Sequence, residues 1–264
     1  MASEDDRLAH ELAAEAGRRL VALRAHGGEP DDLRKAGDRM SHEFLTAELA
    51  RLRPGDCILS EEGADNPARL TADRVWIVDP LDGTREFGDP GRTDWAVHVA
   101  LWERAPGEQQ APGEQGALTA GAVALPAQDE VLSTASPPPA PPSEWPARRL
   151  RIVVSRTRPA PFLPRLAEIL GADLVPLGSA GAKVAAVLKG EGDAYVHAGG
   201  QYEWDSAAPV AVAHAAGFHA SRIDGSWLSY NRADLLMPDI LVCPPVLAGP
   251  LLDAIRSARA DGRR

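Results

Sequence analysis

Apolar residues recur at Leu8, Leu12, Ala16, Leu20 and Leu23, close to the 3.6-residue period, so the chain is predicted to open with an amphipathic helix over residues 8–23. Gly27, Gly28 and Pro30 read as its stop. A second helix is expected over 41–52. Short apolar runs bounded by turn residues then predict strands at 57–60, 75–78, 95–102, 121–125 and 130–134. Farther along, the pattern predicts a strand at 150–155, helices at 161–170 and 180–188, a strand at 194–197 and a helix at 206–216. Strands and helices alternate in both halves, which points to a layered α/β (α+β) architecture and away from a helical bundle or an all-β sandwich.

Two stretches interrupt the pattern. Residues 105–116, APGEQQAPGEQG, nearly repeat a six-residue unit without an apolar period and read as an expanded surface hairpin loop. Residues 137–146, PPPAPPSEWP, hold six prolines and are expected to form an extended connection between an N-terminal unit, 1–136, and a C-terminal unit, 147–264.

Composition narrows the partners. The 264 residues carry 28 Lys and Arg against 38 Asp and Glu, a net charge of −10, which gives no general attraction to a phosphate backbone or an anionic lipid. Neither a nucleic acid polymer nor a membrane is expected as a partner. No apolar run approaches the roughly 20 residues of a membrane span, and the acidic opening does not read as a secretory signal. Cys57 and Cys243 stand far apart with no metal-type spacing, consistent with a cytoplasmic protein. Lys35, Lys183 and Lys189 are the only lysines among the 28 basic residues, so each lysine carries more weight than an arginine.

The chemistry lies in acidic residues at predicted strand ends. In WIVDPLDGT, Asp79 and Asp82 follow an apolar strand, Pro80 stiffens the turn and Gly83 permits a tight path. Both carboxylates and the Leu81 carbonyl can then face one side, offering hard oxygen ligands suited to magnesium. A helix starting at Thr84 would present N–H groups to a phosphate oxygen, and the Thr84 hydroxyl could orient a metal-bound water. The competing reading of DPLDG is a polar turn with a helix cap. Of Glu61 and Glu62, adjacent on an extended segment, at most one can enter the site. Asp205, before the predicted helix at 206, is either a cap or a further site carboxylate, and Asp38 reads locally as a loop residue. Lys183 follows the glycine-containing turn GSAG into a helix, where it can hold a second phosphate or simply be solvated. His10, His26, His42, His98, His214 and His219 show no partner spacing and read as surface or packing residues. His197, on the strand leading to Asp205, is open between substrate contact and structure.

Three separated strings, Glu61-Glu62, then WIVDPLDGT at 76–84, then WDSAA at 204–208, together resemble the lithium-sensitive inositol monophosphatase superfamily across most of the chain. SEEGAD, DPLDGTREF, GRTDWAVHVALW, VSRTR, LGSAGAK and HAGGQYEWDSAAP resemble its CysQ-type branch, the phosphatases of 3′-phosphoadenosine 5′-phosphate. The resemblance implies a layered αβαβα sandwich and magnesium-dependent hydrolysis of that 3′-phosphate to AMP and phosphate, with no covalent intermediate. Inositol 1-phosphate or fructose 1,6-bisphosphate hydrolysis, or a sugar or nucleotide phosphatase of specialised metabolism, is the alternative. It further implies that Glu61, Asp79, the Leu81 carbonyl, Asp82 and Asp205 hold two or three Mg2+ ions. Thr84 with Glu61 would orient the attacking water, assisted by Asp38. Gly83 and Thr84 would meet the phosphate, and Ser155, Arg156, Ser179, Lys183, His197 and Asp205 the rest of a small phosphate ester. Lithium sensitivity and a homodimer are in keeping with the same relatives. Around Asp38 the chain departs from the family's usual lead-in, carrying Leu33-Arg34-Lys35-Ala36-Gly37 instead.

Overall fold

The computed structural model describes residues 2–105, 116–144 and 147–261; the repeat at 106–115 and the end of the proline-rich stretch, 145–146, lie outside the described residues. Strands β1 (Cys57–Ser60), β2 (Arg74–Asp82), β3 (Ala96–Arg104), β4 (Gly116–Leu125) and β5 (Glu130–Ser133) form one sheet in sequential order. There β1 runs parallel to β2, and the remaining pairs are antiparallel. A second sheet has the order β7-β6-β8-β10-β9, from β6 (Arg151–Ser155), β7 (Asp173–Leu177), β8 (Ala194–Tyr202), β9 (His219–Ser221) and β10 (Leu236–Cys243). The helices are α1 (Glu4–Ala25), α2 (Pro30–Leu52), α3 (Thr84–Phe87), α4 (Leu163–Leu170), α5 (Ala180–Leu188), α6 (Glu203–Ala215) and α7 (Pro245–Asp261).

Alternation along the strands sets the layers. On β2, Trp76 and Val78 face α1 and α2, against Leu12, Leu20, Leu45 and Leu49, whereas Val75 and Ile77 face the other way onto α5 and α6. On β6, Val153 joins that inner cluster, while Ile152 and Val154 face α4 and α7 through Leu163, Leu166, Leu251 and Ile255. The order is therefore α1 and α2, first sheet, α5 and α6, second sheet, α4 and α7, which is the αβαβα arrangement. Strands covered on both faces need apolar residues at every position, so β2 reads as a continuous run. The middle helix α6 is rich in alanine, with Ala207, Ala208, Ala211 and Ala213 buried, and small side chains let it lie close between two sheets.

The structure departs from the sequence expectations at several points. Helix α1 starts at Glu4 because Ser3 and Asp6 cap each other, Ser3 Oγ accepting from the Asp6 N–H at 3.0 Å and Asp6 Oδ2 from the Ser3 N–H at 2.7 Å. Pro30, expected to stop the first helix, opens α2 at its first turn, where a missing N–H costs nothing. As a result Asp38 sits on a helix and not in a loop. Helix α6 begins at Glu203, which puts Asp205 inside its first turn, and β8 continues through Gly199 and Gly200 to Tyr202. Strands β7 and β10 were not expected, each holding a proline and an aspartate that mask the pattern, nor were the three-residue β9 and helix α7. Among the described residues no helix is long and apolar enough to cross a membrane.

Candidate active site

Asp79 follows Val75 and Ile77 on the β2 face toward the middle layer, and the register slip of β2 against β3 between Asp79 and Asp82 brings the second carboxylate to the same side. Ser41 Oγ on α2 pins the turn by donating to the Pro80 carbonyl at 2.7 Å. Gly83 then takes φ 86°, and a Cβ there would lie 2.9 Å from Ser179 Cβ, so only glycine fits the turn into α3. From the opposite direction, the first turn of α6 brings in Asp205, whose Oδ2 accepts the Tyr202 N–H at 2.6 Å. Asp79, Asp82 and Asp205 each offer an oxygen within 4.8 Å of the others. Glu61, just past β1, joins them because β1 lies beside β2.

Such crowding is electrostatically costly without a cation. Burial, then the charges of Glu61, Asp82 and Asp205, holds the Asp79 carboxyl well above its ordinary range. Glu61 is open to solvent on one side but walled by protein on the others. That desolvation, followed by repulsion from Asp205, pushes it up to about 7. Burial and the charge of Asp82 push Asp205 up to about 6. Asp82 behaves differently: burial opposes its charge, yet His98 beside it, aided by Lys183 and the Gly181 N–H at 2.7 Å, holds it below the usual carboxylate range. Oxygen donors of this number, mutually repelling and largely removed from water, match a divalent cation of the magnesium type.

Thr84 stands at the lip of this cluster. Its Oγ1 lies 3.1 Å from the Leu81 carbonyl and 3.2 Å from Asp38 Oδ1, so its single proton has two acceptors. Burial and then Glu62 push Asp38 up to about 6. The acids and Thr84 line one end of a pocket of about 370 Å³, within the size of small-ligand sites (roughly 300–1,000 Å³).

Of the residues singled out in the sequence, Glu61, Asp79, Leu81, Asp82, Gly83, Thr84, Ser155, Ser179, Lys183, His197 and Asp205 all line this pocket. Asp38 reaches it through Thr84, and Glu62 bears on Asp38 without lining it. Arg156 does not line it; its guanidinium pairs with the buried Glu86, which does, as does Arg158 two residues on. Ser179 caps α5, its Oγ accepting the Ala182 N–H at 2.9 Å, and Ser155 Oγ accepts the Arg158 N–H at 3.1 Å. Lys183 is no solvated helix lysine: it is buried, donates to the Gly178 carbonyl and has its pKa lowered by desolvation against the pull of Asp82 and Asp205.

Sequence reasoning read His98 as a surface or packing residue and assigned no role to Arg158 or Gln201. His98 is fully buried, with Nδ1 3.0 Å from the Trp204 carbonyl and Nε2 3.2 Å from Asp82 Oδ2. A signal did exist, since His98 falls on the inward set Ala96, Ala100 and Trp102 of β3, where a polar residue among apolar ones needs a partner.

A model of the inositol monophosphatase family matches residues 5–259. A protein of Mycobacterium tuberculosis (strain CDC 1551 / Oshkosh) named 3′-phosphoadenosine 5′-phosphate phosphatase is 50% identical over 255 residues, covering 92% of this chain and 91% of its own. Its namesake from Mycobacterium leprae is 49% identical over 261 residues, covering 96% and 93%. Among solved structures, inositol monophosphatase II from Staphylococcus aureus MSSA476 superposes with a TM-score of 0.77 at 22% identity over 92% of both chains.

Proposed function

The chain belongs to the inositol monophosphatase family and is a phosphoric monoester hydrolase, and we propose that it removes the 3′-phosphate of 3′-phosphoadenosine 5′-phosphate, with Mg2+ as its metal, leaving AMP. One observation carries the choice of a bisphosphate. The pocket has a cluster of carboxylates at one end and, on its wall, the Arg158 guanidinium, which makes no ion pair among the described residues. A substrate with two phosphates can satisfy both, one through cations on the acids and one through Arg158.

Glu61, Asp79, the Leu81 carbonyl, Asp82 and Asp205 would hold the cations. Magnesium supplies charge to offset the phosphate and the leaving oxygen and makes water a better nucleophile at neutral pH. Everything else falls to the chain. His98 holds Asp82 in place from behind, freeing its outer face. Asp38, ionised above its pKa of about 6, takes up the Thr84 hydroxyl proton in a hydrogen bond, which turns the Thr84 lone pairs toward an incoming water and aligns it. The ammonium of Lys183, anchored on Gly178, retains donors for a phosphate oxygen. No side chain needs to act as a covalent nucleophile if a water aligned by Thr84 attacks in line with the ester.

The test is phosphate release by the purified protein with magnesium from 3′-phosphoadenosine 5′-phosphate, inositol 1-phosphate and fructose 1,6-bisphosphate. The nucleotide should be turned over fastest. A flat or reversed ranking would sink the substrate assignment.

A further inference from the structure

The wall of the pocket away from the acids is laid down by β8. Its residues alternate sides, Tyr195 packing in the inner cluster and Val196 in the outer, so His197 falls on the pocket side with Tyr195. The Tyr195 and His197 rings stack at 6.2 Å with 29° between their planes. Gly199 and Gly200 then take φ 90° and 71°, and β8 slips register against β10 between Ala198 and Gln201. This bulge sets the Gly199 carbonyl 2.7 Å from His197 Nε2 and returns Gln201 to the pocket, where its Nε2 donates to the Tyr195 hydroxyl at 2.9 Å. A Cβ at Gly200 would come within 3.1 Å of Arg158 Nη1, so bare backbone lets the guanidinium lie along the same wall.

A carbonyl oxygen only accepts, so His197 Nε2 carries the hydrogen and Nδ1 presents a lone pair. Among the described residues that Nδ1 has no partner, and neither does Gln201 Oε1, although the two residues are only 3% and 5% exposed. Burial pushes the His197 pKa down to about 4, outweighing the Gly199 hydrogen bond, so the imidazole stays neutral and Nδ1 stays an acceptor near neutral pH. A fully ionised phosphate cannot answer either atom, because its oxygens bring no hydrogen. Buried acceptors are costly when left without donors, and a ligand that brings a donor removes that cost.

We propose that His197 Nδ1 and Gln201 Oε1 form an acceptor pair that selects substrates through a neutral hydrogen-bond donor, an O–H or N–H carried beside the phosphates. This rests on the bisphosphate nucleotide assignment and deepens it: Arg158 meets charge, while the acceptor pair reads the uncharged part of the molecule. In that substrate the donors on offer are the free ribose hydroxyl and the exocyclic amine of the base.

The experiment compares kcat/KM with magnesium for 3′-phosphoadenosine 5′-phosphate, its 2′-deoxy analogue and its analogue with unsubstituted purine in place of adenine. Wild-type protein, His197→Leu and Gln201→Met are each measured. Wild type should use at least one analogue about tenfold or more less well than the parent, the affected analogue telling which donor is read. At least one variant should bring that ratio close to one, because without the acceptor the two substrates look alike. A purely structural role would lower all three substrates together and keep the ratio. A wild-type ratio near one for both analogues, or a ratio retained in every folded variant, overturns the acceptor pair while leaving the phosphatase assignment intact. No turnover of the parent nucleotide by wild type overturns both. If one variant does not fold, the other decides.

Discussion

Lowering the pH from 8 to 6 is expected to weaken magnesium binding by about 5-fold or more, because the converging carboxyls hold protons that a cation must displace. Burial and then Asp205 put Glu61 at about 7, and burial and then Asp82 put Asp205 at about 6. Between pH 8 and 6 the ionised fraction falls about tenfold for the first group and about twofold for the second, a product of about 20-fold. Solvent on the open side of Glu61 screens its share, which sets the lower bound of about 5-fold. Asp79, raised by the same burial and repulsion, acts in the same direction. The sign for folding is opposite to that for binding. With carboxyl pKa values raised in the folded state, the metal-free protein binds more protons than the unfolded chain from about pH 4 to 7, so its own stability declines as pH rises through that window. Titration calorimetry with magnesium at pH 6, 7 and 8, in two buffers of different ionisation enthalpy, reads affinity and proton release together. Equal affinity at all three values with no proton released would refute the reasoning.

Three substitutions probe the supporting geometry. His98→Leu strips the buried Asp82 of the imidazole 3.2 Å away and should cost about 3–5 kcal/mol in urea unfolding; a loss under about 1 kcal/mol would mean that Asp82 finds another partner. Gly83→Ala forces an L-residue to φ 86° with its methyl 2.9 Å from Ser179 Cβ, and should cost about 1–3 kcal/mol and most of the turnover; unchanged thermal unfolding and kinetics would show that the turn can be rebuilt. Arg158→Ala should raise KM for the bisphosphate about 10- to 100-fold with a smaller change in kcat, the worth of a charge-assisted hydrogen bond, and an unchanged KM would remove Arg158 from the substrate.

The acid end of the site was legible because its information is local. A buried apolar run followed by Asp79-Pro80-Leu81-Asp82-Gly83-Thr84 confines two carboxylates and a carbonyl to one turn, and the short strand before Glu61 lies beside it. What the sequence hid depends on distant pairings. Asp38 meets Thr84 across 46 positions, and the helix that carries it begins at a proline that reads locally as a stop. That Arg156 pairs with Glu86, 70 positions away, while Arg158 lines the pocket, is set by a contact no local pattern announces. Strand β10 carries Pro238 and Asp239 amid its apolar residues, and Asp239 makes sense only once Arg222 is seen to pair with it at 2.7 Å. His98 required knowing which face of β3 points inward, a tertiary fact that period-two alternation poses but does not answer.

Product identity tests the central claim most directly. Incubated with 3′-phosphoadenosine 5′-phosphate and magnesium, and resolved by chromatography, wild-type protein should release AMP and one phosphate per turnover. Asp79→Asn, with an unchanged circular dichroism spectrum, should release neither, because it removes one of the converging buried carboxylates proposed to hold the cation. Adenosine 3′-phosphate as the product, or full turnover by Asp79→Asn, would contradict the account.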